Sequence, residues 1–221
     1  MSGLPDTLVH RVRPAAGEPE GAMVLLHGRG ADENDLFPFF DILDPERRLV
    51  GVTPGGPLFL PPGGRHWYIV PRVGYPEPRS FLDTYQRLDE LLGAMPGAFG
   101  VPSEQTIIGG FSQGTVMSYA LGLGRGRPSP AGIIAMSGFI PTVEGWDADL
   151  DRPGLPVWIS HGRQDPVISV QFARDARDLL TSAGVDVSYH ESDVGHQVDP
   201  QTVAQLPGWV ADVIARAQAS A

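Results

Sequence analysis

The chain has 221 residues, 42% of them hydrophobic, enough to bury the core of one compact domain spanning 1–221, and no composition break or charge run marks a linker. A formal net charge of −10 lacks the basic footprint that nucleic acid or an anionic membrane surface requires, and the absence of cysteine excludes a disulfide, a thiolate metal site and a thiol nucleophile. No apolar stretch follows a basic start at the N-terminus and no run approaches a membrane span, so a cytoplasmic protein without integral membrane association is expected.

The first clear element is the continuous apolar run 22–26, which reads as a strand buried on both faces and is followed at once by His27-Gly28-Arg29-Gly30. Segment 54–78 is rich in proline, with Phe59, Trp67, Tyr68 and Tyr75 among the prolines, and predicts a long, stiff loop carrying aromatic surface. Phe81, Leu82, Tyr85, Leu88, Leu92 and Met95 then recur at helical spacing. A strand is expected over 106–109, a helix over 115–123, and further strands over 133–136, 155–160 and 185–190, with a helix over 169–183 between the last two. Val203, Leu206, Val210, Val213 and Ile214 form a final helical stripe. Short apolar runs alternating with helical stretches predict an α/β domain, a mostly parallel central sheet with helices on both faces. Segment 139–156 is too short for a large cap domain.

The residues that carry chemistry sit where strands end. Gly110-Phe111-Ser112-Gln113-Gly114 joins a strand to a helix, the setting in which a serine projects from a sharp turn as a nucleophile, with glycine two residues away on either side because a Cβ there would strike neighbouring backbone. By itself the motif is weak, since a random chain of this composition would hold it on the order of 0.2 times. Its context and partners strengthen it. Asp165 stands just past the strand 155–160, and His196 stands on a loop past the strand 185–190, giving the order Ser, acid, His. An imidazole is needed to take the serine proton, and a carboxylate on the other ring nitrogen fixes the tautomer. Asp193 is a rival acid, but only three residues before His196 on the same loop. His190 falls inside a strand pattern, and His27 and His161 read as braces of backbone turns. The amide of Gln113 at the helix start and that of Arg29 in the loop after the first strand are the expected oxyanion donors.

Taken together, Leu25-Leu26-His27-Gly28-Arg29-Gly30-Ala31-Asp32-Glu33, Gly109-Gly110-Phe111-Ser112-Gln113-Gly114, His161-Gly162-Arg163-Gln164-Asp165-Pro166-Val167 and Gly195-His196 resemble the phospholipase/carboxylesterase family of small serine hydrolases, which includes acyl-protein thioesterases. The resemblance spans about residues 20 to 215. It implies an α/β-hydrolase fold, with Ser112, Asp165 and His196 as triad and the Arg29 and Gln113 amides as oxyanion donors. Thr115 stands where many members have glycine, and Val194 where methionine is frequent, two departures that bear on pocket shape. Both lines of reading lead to hydrolysis of carboxylic esters of short to medium acyl chain through an acyl-enzyme. Thioester hydrolysis on acylated protein, lysophospholipid cleavage and, from another class, a non-catalytic binding module on the same scaffold are the alternatives.

Phe59, Leu60, Trp67, Tyr68, Phe139 and Ile140 are the candidates for the pocket of a small-molecule or lipid ester. No clustered His, Asp and Glu has ligand spacing and no Gly-x-Gly-x-x-Gly follows a strand, so neither metal nor cofactor is expected. Oligomeric state, a homodimer included, is not readable from the sequence.

Overall fold

The computed structural model describes residues 3–219. In chain order the elements are β1 (His10–Arg13), β2 (Gly21–Leu26), α1 (Phe39–Leu43), β3 (Leu49–Pro54), β4 (Leu58–Phe59), β5 (Arg65–His66), α2 (Pro78–Phe99), β6 (Thr106–Phe111), α3 (Gln113–Leu123), β7 (Gly132–Met136), β8 (Pro156–Gly162), α4 (Gln171–Ser182), β9 (Asp186–Ser192), α5 (Pro200–Val203) and α6 (Leu206–Ala219). Seven strands form one sheet in the order β1-β3-β2-β6-β7-β8-β9. Only the edge strand β1 runs antiparallel, with His10 opposite Pro54; the remaining pairings are parallel. β4 and β5 make a separate two-stranded ribbon within the proline-rich loop.

Strands β2 and β3 are buried along their whole length, as strands covered on both faces must be. Their side chains alternate between two layers because successive Cβ atoms point to opposite faces. Ala22, Val24 and Leu26 pack with Phe81, Leu88 and Met95 of α2 and with Val116 and Ala120 of α3. Met23 and Leu25 pack on the other side with Phe40 and Leu43 of α1 and Val210 and Ile214 of α6. Tyr119 and Leu123 extend the first layer toward Ala173 and Leu180 of α4, beneath Ile133 and Val157.

Local chemistry sets the helix ends. The Glu77 carboxylate caps α2 by accepting from the amides of Arg79 (3.1 Å) and Ser80 (2.7 Å), Pro78 follows at the first helical position, and Gly100 closes the helix in the left-handed region. The C-terminal stripe is two helices rather than one run, with the break between Val203 and Leu206 and Pro207 early in the second. The segment between β7 and β8 contains no helix, so no large cap covers the carboxyl edge of the sheet. At that edge β6 is central, and the loops leaving β2, β6, β8 and β9 converge around it.

Candidate active site

Ser112 occupies the joint between β6 and α3 with φ 54° and ψ −117°, a backbone conformation that a side chain-bearing residue adopts only when its surroundings impose it. The surroundings are Gly110 and Gly114. A Cβ on Gly110 would stand 2.5 Å from the Gly114 carbonyl carbon and 2.7 Å from the Leu26 oxygen, and one on Gly114 would run into that same Leu26 oxygen. The tight turn projects the hydroxyl from the sheet edge, 8% exposed at the residue level.

Two hydrogen bonds connect it to the other candidates. Ser112 Oγ donates to His196 Nε2 across 2.9 Å, and His196 Nδ1 donates to Asp165 Oδ2 across 2.6 Å. The Asp165 side chain is fully buried, that of His196 18% exposed. Burial would raise the Asp165 pKa, but the bond from His196 and those from the amides of Ile168 (2.9 Å) and Val167 (2.8 Å) outweigh it, and the carboxyl lies below its ordinary range. Phe111 lies beside the imidazole with ring centroids 4.9 Å apart.

The other candidates take structural positions. Asp193 is an exposed partner of Arg163, 3.3 Å away, and bonds no histidine among the described residues. His190 stacks on Trp158 at 3.9 Å. His27 Nδ1 donates to the Gly28 carbonyl (2.7 Å) while its Nε2 accepts from the Gly56 amide (2.9 Å), which requires the neutral ring; burial above all holds its pKa down. His161 Nε2 donates to the Ile168 carbonyl at 2.8 Å and lies 3.3 Å from Asp165 Oδ2, and it too is held neutral chiefly by burial.

A cavity of about 420 Å3 opens beside Ser112 and His196. Arg29 and Gln113 both line it, and among the described residues no backbone carbonyl accepts from either amide. Of the six expected pocket side chains, Tyr68 and Phe139 line the cavity. Phe59, Leu60, Trp67 and Ile140 do not: Phe59 is 65% exposed on β4, and Ile140 packs against the core. Trp67 is fully buried because it is a fastener. Its indole N–H donates to the His27 carbonyl (2.7 Å) and its amide to the Gln113 side chain (3.0 Å), which in turn donates to the Tyr68 carbonyl (2.8 Å). Gln113 is thereby held at both ends of its amide group. Unanticipated walls come from Val70, Arg72, Val73 and Tyr75 in one loop and from Val167 and Ile168 directly after Asp165-Pro166. Neither Thr115 nor Val194 lines the cavity; Thr115 is buried beneath the elbow, its hydroxyl bonded to β6 and β7 backbone.

The chain is similar to known proteins in sequence and in fold. An acyl-protein thioesterase 1 of Debaryomyces hansenii is 25% identical over 227 residues, covering 92% of this chain and 96% of its own. A Bacillus cereus carboxylesterase superposes with a TM-score of 0.82 at 21% identity, over 93% of this chain and 94% of its own, and the crystal structure of esterase PE8 does so at 0.81 and 26%, over 93% and 99%. They share the α/β-hydrolase fold seen here. A model of the phospholipase/carboxylesterase family matches residues 9–214, nearly the whole domain, and the chain is therefore a member of that family of esterase and thioesterase hydrolases.

Proposed function

We propose that this protein is a serine carboxylesterase that hydrolyses carboxylic esters of short to medium acyl chain through an acyl-enzyme. The observation that carries the reading is the continuous relay from Ser112 Oγ through His196 to buried Asp165, at 2.9 and 2.6 Å. His196 Nε2 takes the hydroxyl proton as Oγ attacks the ester carbonyl; the carbonyl π electrons move to its oxygen, which the amides of Arg29 and Gln113 stabilise. Collapse expels the alcohol, protonated by His196, and leaves the acyl group on Ser112. Water repeats the sequence and releases the acid. Asp165, ionised and bonded to His196 Nδ1, keeps Nε2 free to accept and stabilises the imidazolium that forms.

Thioester hydrolysis is the second reading, favoured by the thioesterase relative that aligns over 92% of the chain. The same proton relay serves a thiolate leaving group. A 4-nitrophenyl ester series from acetate to palmitate separates the cases. Turnover should peak at short to medium chains, and Ser112→Ala should lower kcat by at least about 10⁴-fold. A peak at palmitate would replace the short-chain reading with a long-acyl one, and activity surviving in Ser112→Ala would refute the serine mechanism.

A further inference from the structure

The wall of the cavity has a charge opposite to that of the molecule. The chain carries a net charge of −10, and all its basic side chains are arginine. Most of the arginines outside the cavity meet acids, as Arg65 meets Glu33, Arg152 meets Asp149 and Arg174 meets Glu191. Around the cavity the pattern reverses. Arg29 and Arg72 line it, and no aspartate or glutamate does among the described residues. Neither guanidinium has an acidic partner there, and Asp165, the acid behind His196, is sealed from solvent with both oxygens bonded. The Arg72 guanidinium lies 3.7 Å over the Tyr75 ring. Such stacking holds a cation in place without neutralising it and leaves its edge N–H groups free to donate.

We propose that this site selects esters or thioesters bearing an anionic group, with Arg29 and Arg72 as the residues that recognise it. The inference rests on the hydrolase reading above and narrows its substrate class. A neutral ester gains nothing from two unpaired guanidiniums at the mouth of its pocket. An anion needs them, because the rest of the surface repels it. Screening works in the same direction: at physiological salt the repulsion of distant carboxylates fades beyond about 8 Å, whereas a guanidinium in contact with a carboxylate or phosphate is screened far less. Arg29 lines the same cavity as Ser112 and His196, so an anion that it holds lies close to the reacting carbonyl. Tyr75 and Val73 beside Arg72 supply apolar surface, so the favoured molecule is an ester with an apolar body and one negative group.

The test compares kcat/KM for matched substrates. On the acyl side these are 4-nitrophenyl hexanoate and the mono-4-nitrophenyl ester of adipic acid; on the alcohol side, phenyl butyrate and 4-(butyryloxy)benzoate. The anionic member of at least one pair should be preferred by about three- to tenfold, the range expected of partly exposed ion pairs. That preference should shrink as salt rises to about 0.5 M and should collapse in the Arg29→Gln, Arg72→Gln double variant. Arg79→Gln, on α2 and outside the cavity, should retain it. Equal or inferior turnover of both anionic members by the wild type, or a preference that survives the double variant, would overturn the proposal while leaving ester hydrolysis intact. No turnover of any of the four substrates would count against the hydrolase reading itself, and the anion preference would fall with it.

Discussion

Asp165 shows how one buried side chain can serve two structures. Oδ1 accepts from the amides of Val167 and Ile168, shaping the loop that forms one wall of the cavity, while Oδ2 accepts from His196. His161 closes the circuit from behind, bonding the carbonyl of the same Ile168. Asp165→Asn preserves an oxygen for the loop amides but lets the imidazole adopt the tautomer in which Nε2 carries the proton. We expect kcat/KM to fall by about 10³ to 10⁴-fold with the fold retained, checked by ester turnover alongside thermal unfolding. A loss under tenfold would mean that Asp165 is not the partner that orients His196.

Among the elements, α3 has the most demanding position. Every one of its residues is buried, so it is anchored by its backbone and small polar side chains as well as by packing. Thr115 is the main polar tie. Its hydroxyl accepts from the Met136 amide (3.0 Å) and lies within donating reach of the carbonyls of Gly110 (2.7 Å) and Met136 (2.6 Å), of which its single proton serves one at a time. Thr115→Val keeps the shape and strips the hydroxyl's bonds to the backbone of β6 and β7. Stability should drop by about 1 to 3 kcal/mol, read from a urea midpoint. A change below about 0.5 kcal/mol would show that water or a shifted strand replaces the hydroxyl. That role could not be seen in the sequence, where Thr115 stood out only as a departure next to the elbow.

For the whole molecule, acid stability should be lost in two stages. His27 and His161 are held neutral in the fold, chiefly by burial, so their pKa values lie below the ordinary 6.5. The unfolded chain therefore binds more protons as pH drops below about 6.5, and stability falls from there. Glu191 acts lower. The Arg174 guanidinium grips it with two bonds (2.7 and 2.9 Å), and its pKa is pulled from 4.5 to about 2. Its contribution is fully present above about 4.5 and is lost as pH falls toward 2. Urea midpoints measured across this range should decline first between about pH 7 and 5, then again below 4.5, and the second decline should be smaller in Glu191→Gln. A midpoint unchanged between pH 7 and 5 would contradict the neutral burial of the two histidines.

What could be read in advance follows from how local each constraint is. The nucleophile elbow is a covalent-geometry problem solved within five residues, so Gly110, Ser112 and Gly114 announce it. The strand-end positions of Asp165 and His196 follow from apolar runs that any parallel sheet must bury. β1 left no trace because only one of its four residues is buried and it joins the sheet through backbone bonds to β3. The break between α5 and α6 was hidden by an apolar stripe that continues across it. The sequence by itself thus determined the fold class, the order of Ser112, Asp165 and His196 at successive strand ends, and the family. Only the tertiary structure decided which side chains face the cavity. Trp67 and Tyr68 are neighbours in the same loop, yet one fastens Gln113 and the other lines the pocket, because that choice depends on contacts with residues some 40 positions away.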